Sequence, residues 1–212
     1  MRGTTARGRR DGGWSPTRKL LASVAVLGAA ASIAGLGTFA TFTSSTSASH
    51  TVSSGTVTIA LGATGAATNR LTVGASAIAP GDTIQRSVDL IDSGSIDLAS
   101  ITLTTTATSS SLLDTDTANG LQMVIDKCSN AWTESGPPYT YSCSGATSSV
   151  LASRPVIGST LALSGLSSLT AGTTDHLRVT LTLPSGAGNT LQNQSSTISY
   201  AFTGTQRTAT NK

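Results

Sequence analysis

The chain has 212 residues, of which 11% are charged, and 13 Lys and Arg stand against 10 Asp and Glu for a formal net charge of +3. The excess is local: Arg2, Arg7, Arg9, Arg10, Arg18 and Lys19 are opposed only by Asp11, and from Thr41 onward seven basic and nine acidic side chains leave a net of −2. A mildly acidic body offers nothing to a phosphate backbone, which excludes nucleic acid as the expected partner.

The basic start runs into an uncharged stretch, Leu20 to Phe42, dominated by Leu, Val, Ala and Gly. Thr38 and Ala40 then sit three and one places before a cut, so the stretch reads as an export signal over residues 1–40, cleaved between Ala40 and Thr41. The competing reading is a retained transmembrane helix, since about 23 uncharged residues can span a bilayer. Against it, Gly28, Gly35 and Gly37 weaken the apolar run and no basic stop-transfer cluster follows. Arg9-Arg10 lies too far from that run to mark the twin-arginine route. The membrane is therefore expected as a partner only through an uncleaved leader.

From residue 41 to 55 the chain is Ser/Thr-rich and without a turn residue until Gly55, as expected of an extended arm. Residues 56–212 then read as strands punctuated by turns. Val57, Ile59 and Leu61 alternate with Thr56, Thr58 and Ala60, predicting a strand with one buried face. Leu71 and Val73 predict a short strand before the Pro80-Gly81 turn. In Thr83 to Ile91, Ile84, Val88 and Leu90 share a parity that Arg86 interrupts, which predicts a bulge, an edge position or a snorkelling guanidinium. Asp92-Ser93-Gly94-Ser95 has the residues of a hairpin turn. Beyond it Ile96 and Leu98 change parity with Ile101 and Leu103, predicting a bulge near Ala99-Ser100. Thr104 to Ser111 is a polar run, and Leu121, Met123 and Ile125 mark a strand leading to Cys128.

Cys128 and Cys143 are the only cysteines, with no C-x-x-C or Cys/His cluster around them. In an exported chain a disulfide is expected, two buried thiols being the alternative. Between them Trp132, Tyr139 and Tyr141 surround Gly136-Pro137-Pro138, a loop able to bind a partner or sugar face, or else to cover its own disulfide and sheet. Gly145 to Leu169 predicts short strands, Leu177 to Leu183 is the clearest alternation in the chain, and Ile198, Tyr200 and Phe202 mark the last strand. Many short strands without an amphipathic helix argue for an antiparallel β-sandwich.

Leu36 to Phe42, then Val52 to Ile59, Ala79-Pro80-Gly81-Asp82, the Asp92 to Ser95 turn, Leu177 to Pro184 and Ile198 to Gly204 together resemble the TasA and camelysin family in order and spacing. The resemblance implies a jelly-roll-like sandwich and a leader cut by a signal peptidase of the SipW type. It also implies a secreted matrix or cell-surface subunit that polymerises with itself, alongside other matrix components, the N-terminal arm of one copy completing the sheet of the next. On that reading Phe42, Val52, Val57 and Ile59 are the donor residues, since strand addition supplies backbone hydrogen bonds an exposed edge lacks.

Camelysin also implies a metallopeptidase, but the chain has neither H-E-x-x-H nor G-x-S-x-G. His50 lies in the polar arm and His176 on the polar face of a strand, so no catalytic residue, metal ligand or cofactor is expected. Asp114-Thr115-Asp116 before Asn119-Gly120 falls short of a calcium loop at Ala118 and Ile125 and reads as a solvated turn. Asn193-Gln194-Ser195 is a formal glycosylation triplet. A secreted peptidase and a monomeric adhesin using the aromatic loop are the alternatives to a fibre subunit.

Overall fold

The computed structural model describes residues 54–75 and 77–210. The leader, the cut between Ala40 and Thr41, and Phe42, His50 and Val52 lie outside the described residues. Within them the strands are β1 (Ile59–Leu61), β2 (Thr83–Asp92), β3 (Leu98–Ser109), β4 (Gln122–Cys128), β5 (Thr133–Ser135), β6 (Thr140–Ser142), β7 (Thr147–Pro155), β8 (Gly158–Ala162), β9 (Thr174–Thr182) and β10 (Thr197–Gln206). One helical turn, α1 (Leu112–Thr115), separates β3 from β4.

All pairings are antiparallel. One sheet has the order β1-β2-β9-β4-β7, the second β10-β3-β8, and β5-β6 stands apart as a hairpin. Strands that follow one another in sequence, such as β2 and β3 or β3 and β4, fall in opposite sheets. That interleaving is what the two Greek keys of a jelly roll produce, so the fold is an antiparallel jelly-roll-like sandwich. Alternate residues fill the space between the sheets: Val88, Leu90, Ile101, Leu103, Met123, Ile125, Leu177 and Val179 are at most 1% exposed.

The predicted bulge is present. Gly204 faces Ile101 and Thr205 faces Ser100, but Gln206 faces Leu98, leaving Ala99 unpaired, and this returns Leu98 and Ile101 to one buried face. Two other expectations fail. The Asp92 to Ser95 turn does not close a hairpin, because the strands it joins belong to different sheets. Its backbone instead pairs with the run before β1, Ser93 N–H to Thr58 O and Ser95 N–H to Thr56 O, both at 2.9 Å. Leu71 to Val73 is loop, because the preceding residues take the edge of β2 and turn away. Asn69 bridges Val88, and Arg70 N–H donates to Ser87 O at 2.9 Å.

No bulge marks Arg86, since β2 runs in unbroken register with β9 from Thr83 to Ile91. Its side chain starts on the inward parity and is 9% exposed. The guanidinium ends on backbone carbonyls, from Nε to Val73 O at 2.6 Å, from Nη2 to Gly74 O at 2.7 Å and from Nη1 to Gln85 O at 2.7 Å. Those bonds satisfy the buried charge and hold the loop beside the strand.

Candidate functional site

The two flanks of the sandwich differ. On one, Ser164 just past β8 donates its N–H and its hydroxyl to Val150 O of β7, both at 3.1 Å, tying the sheets together. On the other, β1 and β10 are the terminal strands of their sheets. Among the described residues nothing pairs with the second edge of β10, a strand of ten residues. Beside the first half of that edge a groove of about 1140 Å³ enters between the sheets. Val73, Ile78, Ile84, Leu191, Ile198 and Tyr200 supply its apolar surface, and Arg86 with Gln192 to Thr197 and neighbouring threonines supplies about as much polar surface. Burial pushes the Tyr200 phenol up to about 12, so it stays neutral.

Ile59 of the predicted arm set lies in β1, paired with Asp92 of its own β2 and packed on the core. Val57, just before it, is 39% exposed. Phe42 and Val52 are not among the described residues.

Cys128 and Cys143 form the expected disulfide. It staples the β5-β6 hairpin onto the outer face of the five-stranded sheet. Trp132 donates from Nε1 to His176 O at 2.9 Å, and its ring lies 4.4 Å from the Arg178 guanidinium carbon. Tyr141 donates its N–H to Gln85 Oε1 at 3.2 Å and its hydroxyl to Glu134 at 2.8 Å. With Trp132 9% and Tyr141 7% exposed, these aromatics cover the disulfide and the sheet beneath. Tyr139 is half-buried, its ring 4.8 Å from the guanidinium carbon of Arg70 and 5.3 Å from that of Arg86. Glu134 completes the cluster, accepting from Arg70 Nη2 at 2.7 Å and Nε at 2.9 Å. That two-pronged bond, outweighing burial, holds the Glu134 carboxyl below the usual range.

Sequence reasoning missed Arg70, Glu134 and Arg86 as one cluster. Arg86 carried a signal, a charge on an apolar parity, but the cluster is assembled from distant positions, Arg70 and Glu134 being 64 apart in sequence. Asp114 departs from the solvated turn expected of it. It is 6% exposed and forms a capping box with Ser111, while Ser110 and Ser196 also donate to it at 2.7 and 2.5 Å. Asp116 is half-buried and accepts the N–H groups of Ala118 and Asn119. Asn193 is exposed on the loop before β10.

A metal centre does not fit the described residues. Both cysteines are spent in the disulfide, His176 Nδ1 is 2.7 Å from Asp89, and no three His, Cys, Asp or Glu side chains converge among the described residues. Nor is any helix among them long and apolar enough to cross a membrane.

Fold and site thus define a jelly-roll-like β-sandwich with a stapled outer hairpin and, among the described residues, one open flank. A family model described as camelysin metallo-endopeptidase matches residues 16–211. The chain belongs to that family. No curated protein matches it.

Proposed function

We propose that the chain is a secreted structural subunit of an extracellular matrix or cell-surface fibre. Each copy receives the N-terminal arm of another along β10, after a SipW-type signal peptidase has freed that arm at Thr41. The observation that carries this reading is the edge of β10 that no described residue pairs with, beside the groove, a row of backbone donors and acceptors that a strand would satisfy. The arm suits it in chemistry. Residues 41–53 contain no Asp, Glu, Lys or Arg, and they set Phe42 and Val52 among hydroxyl side chains, as suits a groove whose lining is part apolar and part polar.

Sedimentation at matched concentration tests it. Protein beginning at Thr41 should polymerise, protein lacking residues 41–54 should stay folded and monomeric, and the arm added as a free peptide should bind the shortened form. Equal polymerisation by both would make the arm a linker. The family description also supports a metallopeptidase reading, for which the readout is chelator-sensitive casein hydrolysis that co-purifies with the chain.

A further inference from the structure

We propose that the disulfide hairpin holds the wall of the groove in shape through Tyr139 and Arg86, so that a strand is accepted only when Cys128 and Cys143 are joined. The proposal rests on the assembly reading, since it concerns the same groove.

The wall in question is the loop around Val73, Gly74 and Ile78. Its carbonyls at Val73 and Gly74 are held by the Arg86 fork, which has no carboxylate within salt-bridge distance among the described residues. A planar guanidinium serves several acceptors at once with its aim fixed, which an ammonium on a flexible stem does not. What fixes the aim of Arg86 is Tyr139. One ring meets two guanidiniums, Arg70 and Arg86, and their mutual repulsion is offset by Glu134, which binds Arg70.

Tyr139 and Glu134 both belong to the hairpin, Glu134 on β5 and Tyr139 in the turn before β6. The hairpin pairs through only three residues on each strand, too few for independent stability, so the disulfide at its base keeps it down. The contacts therefore run unbroken from the disulfide through Tyr139 and Arg86 to the groove wall. A hairpin serving only to cover the sheet would need Trp132 and Tyr141, but no ring against Arg86. Closing the lock moves two electrons and two protons from the thiols to a disulfide oxidant, which leaves as a dithiol, so the groove sets only where such an oxidant exists.

The test is amide hydrogen exchange on the chain beginning at Thr41, with binding of the arm peptide measured in parallel on the form lacking residues 41–54. In Cys128→Ser/Cys143→Ser, Tyr139→Ala and Arg86→Lys, exchange over residues 71–78 should rise about tenfold while β9 stays protected. Peptide affinity should fall by a similar factor, and Tyr139→Phe, which keeps the ring, should match the parent. If the double serine variant loses β9 protection as well, Tyr139→Ala decides, its disulfide being intact. Unchanged exchange over 71–78 in Tyr139→Ala would overturn the coupling. Faster exchange with undiminished peptide binding would overturn the role in acceptance. A parent that binds no peptide at all would sink the assembly reading and this role with it, while the exchange data would still report the coupling by itself.

Discussion

Thr105 is 1% exposed, and its hydroxyl donates to Val156 O at 2.6 Å and accepts Gly158 N–H at 2.9 Å, joining β3 to the start of β8. Thr105→Val keeps the shape and strands the buried Val156 carbonyl and the half-buried Gly158 N–H, so it should lower the unfolding free energy by about 1–3 kcal/mol in urea titration. Asp175, 3% exposed, makes a pH prediction. Burial acts to raise its carboxyl, but the N–H groups of Ser168 and Ser167 and the Lys127 ammonium at 3.2 Å outweigh it and hold the carboxyl below its usual value. A depressed folded value means the stabilisation is fully present above the unfolded carboxyl range near about 3.9 and is lost as pH falls through the folded value. Asp175→Asn should therefore be less stable than the parent at neutral pH, with the gap closing in strongly acidic buffer. Hydropathy could not reveal either residue: Thr105 sat in a run read only as polar, and Asp175 gains its partners from β4 and from a loop whose path depends on the whole fold.

At the scale of elements, patterns that are local in cause were legible. The alternation of β4, β9 and β10 and the bulge at Ala99 follow from which residues must face inward, and parity records that directly. Leu71 and Val73 show the limit. Two apolar residues at strand spacing form no strand because the edge they would pair with is already occupied by Asn69 and Arg70. The hairpin between the cysteines was legible as a stapled, aromatic excursion, and its docking direction was not. Its staple closes a loop with a sequence separation of 15, so Cys128→Ser should lower thermal stability by about 2–4 kcal/mol, read by calorimetry on protein whose parent disulfide is verified.

For the whole molecule, an antiparallel sandwich follows from many short alternating strands, but the sheet order does not. Nothing in Asp92 to Ser95 distinguishes a turn that returns within one sheet from one that crosses to the other; the choice is made by which distant strands, β9 and β10, arrive as neighbours. Among the described residues, that order leaves one flank tied by Ser164 to Val150 and the other without a partner along β10. Under the assembly proposed above, the donating segment and the receiving edge are different parts of the subunit, so the contact is head to tail and lacks a two-fold axis. Such contacts form a ring only if their rotation closes, and otherwise a helix whose two termini are chemically distinct: one presents a vacant β10 edge, the other an unspent arm. A subunit lacking its arm would then stop growth at one terminus alone, giving the polymer a direction that a symmetric dimer does not have.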